Sequence, residues 1–254
     1  MTTARRFHAF ALTALVAACA WGSPQGAHAA VIVHGTRVIY PAQEREVTVR
    51  VENTGDLELL VQSWLDEGDS QASPDQADVP FHLGPAVFRL KPNAQQSLRI
   101  IKTGGDLPTA QEKLYWLNVL EVPPKSNDGE ARNKLHVTLR TRLKLIYRPA
   151  SLKPEGARRA PAALRWSLVR NPNGAGMALQ AINPTPYYVH LAQLQLKQGT
   201  RSFKHPDIAV AAPNTTTVFA LPTATATQPG GEVHLVYLTD NGAERPHTAP
   251  LASP

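Results

Sequence analysis

The sequence predicts an all-β chain built as two β-sandwich domains, and three observations lead to that class. Apolar and polar residues alternate with period two, Gly, Pro and Asn clusters break the alternation about every ten residues, and the pattern stops and restarts once. Composition agrees with it. Of 254 residues, 43% are hydrophobic, too many for a disordered chain, and 18% are charged, too few for a coiled coil. The 22 prolines argue against long helices, because each one inside a helix costs about 3 kcal/mol. A single cysteine excludes an internal disulfide and a thiolate metal site. The net charge of +6 is too mild to indicate nucleic acid.

Residues 1–29 read as a secretory signal. Arg5 and Arg6 precede an uncharged apolar run from Ala9 to Ala20, and Ala27-His28-Ala29 offers small residues for cleavage. The run is a dozen residues, short of the roughly 20 that span a bilayer, and no later segment is longer, so no integral membrane segment is expected. Cleavage after Ala29 leaves 225 residues (254 less 29), no cysteine and a net charge of +4. Val16-Ala17-Ala18-Cys19 competes as a lipidation site, and its bland reading is a small residue within the apolar run.

The strands follow in order. Glu46 to Val51 puts three valines on one face, and Asn53-Thr54-Gly55-Asp56 turns the chain. Leu59 to Leu65 is the next apolar stretch, followed by a polar loop through Asp78 in which Asp66, Glu67 and Asp69 read as solvated. Val87 to Leu90, Ser97 to Ile101 and Leu114 to Val122 come next, the last closed by Pro123-Pro124. The longest alternation sets Leu135, Val137, Leu139, Leu143, Leu145 and Tyr147 on one face and His136, Thr138, Arg140, Arg142, Lys144 and Ile146 on the other. Thirteen residues at about 3.3 Å each would exceed 40 Å, far beyond a usual strand. A charged solvent face explains the polar row but not the length. Arg148 to Ala163, rich in Pro, Ala and charge, reads as a domain boundary without a helix of three turns. This bounds a first domain at 30–149 and a second at 150–254. The second domain restarts with Leu164 to Val169, Ala175 to Ile182, Tyr187 to Leu196, Thr216 to Leu221 and Glu232 to Leu238.

Chemistry-bearing motifs are scarce. The sequence has no G-x-S-x-G elbow, phosphate loop or H-E-x-x-H helix, so no enzyme, cofactor or metal site is expected. The histidines after the signal, His34, His82, His136, His190, His205, His234 and His247, are scattered and read as surface or edge residues. Arg140, Arg142 and Lys144 form a basic row without interleaved aromatics, and export makes nucleic acid an unsuitable partner.

The residues nonetheless resemble a known family. Thr141-Arg142-Leu143-Lys144-Leu145-Ile146-Tyr147-Arg148-Pro149 and Asn183-Pro184-Thr185-Pro186-Tyr187-Tyr188 are similar to signatures of the periplasmic pilus chaperones of the chaperone–usher pathway. Ala30-Val31, Thr36-Arg37, Tyr115 to Val119, Glu121-Val122-Pro123-Pro124, and Asp240 with Arg245-Pro246 match in family order along nearly the whole chain after the signal. The resemblance implies two immunoglobulin-like domains in an L or boomerang arrangement. It implies a periplasmic chaperone that holds pilus subunits by donor-strand complementation and passes them to an outer-membrane usher, with no cofactor. It places Leu135, Val137 and Leu139 in the subunit's groove, and Arg37 and Lys144 on the subunit's terminal carboxylate. Glu112, Arg148 and Asp240 are implied as an ion-pair network between the domains. The alternative is an exported two-domain adhesin or surface-structural module, lipidated or not at Cys19. Ten residues, Lys125 to Lys134, separate Pro124 from Leu135, which looks like the short-loop branch of the family. The second domain has no cysteine pair, and Pro250 and Pro254 leave open whether its sandwich has a full strand set.

Overall fold

A computed structural model describes residues 30–71, 73–76, 78–124, 137–224 and 230–252. The expected signal segment with Cys19, and Leu135 and His136, lie outside the described residues. The first sandwich is built from β1 (Val31–Val33), β2 (Arg37–Pro41), β3 (Glu46–Asn53), β4 (Leu59–Asp66), β5 (Phe81–Gly84), β6 (Val87–Leu90), β7 (Gln95–Lys102), β8 (Lys113–Val122) and β9 (Leu139–Arg148). One sheet runs β1-β3-β7-β5 and the other β2-β9-β8-β4-β6. The pairings are antiparallel except β2 with β9, which run parallel, Arg37 opposite Lys144 through Pro41 opposite Arg148.

Alternation sends Val49, Val51, Leu98 and Ile100 from one sheet, and Val61, Tyr115, Leu117 and Leu145 from the other, into a shared core. Aromatic contact joins the sheets: Phe81 lies 5.1 Å from Tyr40 and 5.1 Å, edge-on, from Tyr115.

A helix, α1 (Pro154–Ala163), follows where the sequence suggested an irregular boundary. Pro154 sits in the first turn, where its missing N–H is no loss, and alanines supply helix propensity for the rest. Ala160 and Pro161 are buried against the second core, and the helix ends at Leu164. Gly156 is required: a Cβ there would collide with the Tyr187 ring, whose hydroxyl donates to the Lys153 carbonyl at 2.9 Å.

The second sandwich comprises β10 (Arg165–Arg170), β11 (Met177–Asn183), β12 (Val189–Gln198), β13 (Arg201–Lys204), β14 (Ala209–Ala211), β15 (Thr215–Leu221), β16 (Glu232–Leu238) and β17 (Glu244–Pro250). Its sheets run β10-β11-β15 and β13-β12-β16-β17, with β14 also on β12. Trp166, Leu179, Leu191, Leu196, Phe219 and Leu235 fill the core between them. The final strand left open by the terminal prolines is therefore present. β17 pairs with β16 along its whole length, and Pro250 falls at its end. The long strand expected from Leu135 begins at Leu139; Val137 and Thr138 are irregular.

The two sandwiches share one device. Asn53 and Asn183, fully buried, each end a strand and brace the turn that follows. Asn53 Nδ2 donates to the Leu57 and Leu90 carbonyls at 2.8 and 2.9 Å, while its Oδ1 accepts the Gly55 N–H at 2.9 Å. Asn183 Nδ2 donates to the carbonyls of Tyr187, Ala211 and Ala212 at 2.8, 3.1 and 3.0 Å. Its Oδ1 accepts the Thr185 N–H at 3.0 Å and hydroxyl at 2.7 Å. Removing the amide would strand buried carbonyls. Asn183→Ala should therefore lower unfolding free energy by about 1–3 kcal/mol, read from the denaturant midpoint at unchanged slope. A variant as stable as the parent would show that the turn holds without it.

Candidate functional site

β9 carries three different jobs on one alternating pattern. Leu143, Leu145 and Tyr147 point into the first core and are buried. Leu139 belongs to the same row yet is 41% exposed, and Val137 beyond it is 54% exposed. The row thus runs out of its own sandwich. The backbone does the same. β2 pairs only with Lys144 to Arg148, so among the described residues Leu139 to Leu143 are paired on one side only, by β8. A row of exposed apolar side chains beside an open ladder edge is a template for another strand.

The opposite row of β9 faces outward with cations. Arg142 Nη2 donates to both oxygens of Asp66, at 2.6 and 2.9 Å, and Asn118 Nδ2 donates to Oδ2 at 2.6 Å. Asp66 is buried, contrary to its reading as part of a solvated loop; the neighbouring strands β8 and β9 cover it. The basic row is not free of aromatics either. The Arg142 guanidinium lies 4.7 Å and the Lys144 ammonium 5.6 Å from the centroid of Trp116, and Arg140 lies 5.9 Å from that of Trp64. The tryptophans come from β4 and β8, so the interleaving exists across strands and is invisible along one.

Where β2 starts, the register sets Arg37 opposite Lys144. Both are half-buried, and the Arg37 Nε is buried without a hydrogen-bond partner among the described residues. Burial lowers the Lys144 pKa to about 8, with a further push from Arg37. Burial also lowers that of Arg37, against an upward pull from Asp240. Two like charges held side by side and partly dehydrated are unfavourable unless an anion joins them.

Arg37 and Arg148 line a cleft of about 390 Å³ between the sandwiches, with Glu112, Tyr188, His190 and Asp240. Arg148 is the node of that cleft. Its Nε donates to Glu112 Oε1 at 2.6 Å, and its Nη1 and Nη2 donate to Asp240 at 2.7 and 2.8 Å. Glu112 Oε2 accepts the Tyr188 N–H at 2.8 Å, and the Glu112 N–H donates to the Pro186 carbonyl at 2.9 Å. Glu112 and Arg148 come from the first sandwich, Tyr188, Pro186 and Asp240 from the second. Burial pushes the Glu112 carboxyl up, against Arg148; on Arg148 burial pulls down and is outweighed by Asp240 and Glu112. The three residues that the resemblance grouped are thus in direct contact.

His190 departs from its reading as a surface residue. It is 2% exposed, stacked on Tyr188 at 6.0 Å between centroids, with neither ring nitrogen hydrogen-bonded among the described residues. Nothing in sequence marks it, since it interrupts no pattern in Tyr187-Tyr188-Val189-His190-Leu191. Among the described residues no group of three His, Cys, Asp or Glu could hold a metal ion, and no helix is long and apolar enough to cross a membrane.

Residues 30–153 match the model of the "Pili and flagellar-assembly chaperone, PapD N-terminal domain", and residues 159–249 that of the "Pili assembly chaperone PapD, C-terminal domain". The Bordetella pertussis chaperone protein FimB/FhaD is 41% identical over 200 residues, covering 77% of this chain and 80% of its own. The crystal structure of the YadV chaperone superposes with a TM-score of 0.75 at 34% identity, covering 88% of this chain and 100% of that one. A chain from the Salmonella enterica SafA pilin–SafB chaperone complex gives 0.71 at 31% identity, over 89% and 98%.

The lowered Lys144 pKa has a measurable consequence. The unfolded chain binds more protons than the folded one between about 8 and 10.5. The charged lysine therefore opposes folding fully below about 8, and that opposition fades as pH rises towards 10.5. Lys144→Met should raise the thermal midpoint at pH 7, by about 2–4 °C for each kcal/mol recovered, and the gain should shrink at pH 10. A midpoint lowered at pH 7 would mean that Lys144 stabilises the fold.

Proposed function

Because this chain belongs to the family of pilus-assembly chaperones, we propose that it captures pilus subunits in the periplasm and delivers them to an outer-membrane usher. The reading rests on one observation. The free edge of β9 at Leu139–Leu143 carries exposed Val137 and Leu139 and leads directly to the Arg37–Lys144 pair.

Capture then follows from strand chemistry. A subunit whose sandwich lacks a strand exposes an apolar groove and an unpaired ladder, both prone to aggregation. The open edge of β9 supplies ladder hydrogen bonds, while Val137 and Leu139, with Leu135 preceding them, enter the groove. Each side chain so buried contributes about 1.5–3 kcal/mol. A terminal carboxylate between Arg37 and Lys144 neutralises the paired cations, restores full protonation of Lys144 and completes charge-assisted hydrogen bonds. It also sets register, because a strand anchored at one end admits one alignment of alternating side chains. The known complex of a pilin with the SafB chaperone, a relative of the same fold, is consistent with this mode. Folding of the subunit onto its next neighbour drives release, so neither a nucleotide nor a catalytic step is required.

Arg37→Ala with Lys144→Ala should abolish co-purification of a co-expressed subunit while the chaperone still unfolds cooperatively, at a midpoint no lower than the parent's. Undiminished co-purification would reject the anchor. Val137→Asp tests the groove separately. It should weaken capture at least tenfold, the order expected for losing one buried valine and burying a carboxylate, with little change in the chaperone's own stability.

A further inference from the structure

His190 is buried with both ring nitrogens unpartnered among the described residues, in the same cleft as the Arg37 guanidinium, whose Nε is likewise buried and unpartnered among them. Buried polar atoms are almost always hydrogen-bonded, because one left unpaired forfeits its hydration with nothing in return. Three such atoms on two residues at one cleft describe a site that is completed by a ligand with acceptor oxygens.

The place of His190 is fixed by both sandwiches. On β12, Val189 and Leu191 turn into the second core, so the alternate residue faces away from it towards the cleft. The Tyr188 ring stacks on it, and the Tyr188 backbone N–H is held by Glu112 of the first sandwich. Position and orientation are therefore set before any subunit arrives.

Around His190 stand Arg37 of β2, Lys144 and Arg148 of β9, Glu112 ahead of β8, and Tyr188 and Asp240 of the second sandwich. Arg158 of α1, Tyr237 of β16 and Arg245 of β17 line the outer part of the cleft, with both arginines exposed to solvent. The three inner cations against Glu112 and Asp240 leave one net positive charge. An imidazole there stays neutral: burial, then Lys144, then Arg37 hold its pKa well below the usual value. A carboxylate entering between Arg37 and Lys144 cancels the net charge, offsets the push of both cations on the imidazole and brings two acceptor oxygens that a protonated ring can bond, against the burial that still favours the neutral form.

We propose that His190 is a third member of the carboxylate anchor and takes up a proton as the subunit's terminus enters, so that capture strengthens as pH falls. The inference rests on the anchor role of Arg37 and Lys144, and the test separates the two. The probe is an N-acetylated peptide of alternating valine and threonine with a free carboxyl terminus, compared with its carboxamide, on the full chain. Calorimetry at pH 6, in two buffers of different ionisation enthalpy, counts protons bound. Lys144, with its pKa of about 8, is already charged at pH 6, so uptake there is not its own.

The expected result is net proton uptake with the carboxylate peptide, none with the amide, and affinity rising as pH falls from 7.5 to 6 by up to about tenfold per unit for one proton. His190→Gln should remove the uptake at pH 6 and the pH dependence below 7, leaving only the small contribution of Lys144 near 7.5, while the preference for carboxylate over amide survives. In the unmodified chain, the His190 ring resonances should move to their cationic positions when the carboxylate peptide is added at pH 6. Zero uptake, uptake unchanged in His190→Gln, or a ring that stays neutral overturns the His190 inference and leaves the anchor standing. Equal binding of carboxylate and amide peptides overturns the anchor reading itself.

Discussion

The parallel pairing of β2 with β9 covers Lys144 to Arg148 and stops there, and most of what matters in this protein depends on where it stops. Below that point β9 is an interior strand, paired on both sides, with Leu145 and Tyr147 in the core. Above it the same strand is an edge, with its apolar row emerging into solvent at Leu139 and Val137. The change of state falls at Lys144, directly opposite Arg37, so the cation pair stands at the threshold between closed and open ladder. An extended segment laid on that edge must meet the cations at its end.

Two treatments of buried charge lie side by side in the cleft. Arg148 has its guanidinium matched by two carboxylates, one of them bidentate, and the bonds run between sandwiches. Such a network adds little net stability, because desolvation offsets the attraction, but it admits only one relative placement of the groups it joins. Among the described residues Arg37 and Lys144 have no comparable neutralisation: Asp240 reaches Arg37 through its field, and Lys144 meets the face of Trp116. One cluster is finished within the chain, and the other stores an unfavourable arrangement that an incoming anion relieves. Gly242 shows how tightly the junction is built, since a side chain there would collide with Thr36, next to Arg37.

Much of the fold was legible in sequence because a sheet with one buried face writes itself as alternation. Strands such as Glu46–Asn53 and Leu114–Val122 show it plainly, and their bounds differ from the sequence reading by no more than a few residues. β1, β2, β5, β13 and β14, three to five residues long, were not read from the sequence, nor was β17, whose two prolines and polar residues leave no apolar alternation. Helix α1 was hidden by its prolines: Pro154 is harmless in the first turn, and Pro161 lies inside the helix, where proline ordinarily counts against one. At the site, the alternation of β9 was visible but its aromatic partners were not, because Trp64 and Trp116 reach the basic row from other strands.

What the sequence by itself determined is the periodic part: two sandwiches, their core residues, and a strand with leucines on one side and cations on the other. This holds because side-chain period and burial are local properties of an extended chain. Tertiary structure alone decided which stretch of β9 remains unpaired, that Asp66 is buried beneath Arg142, and that His190 is buried beside two cations. Those facts depend on contacts between residues more than forty positions apart, and on dehydration where one sandwich covers another. A linear pattern carries neither.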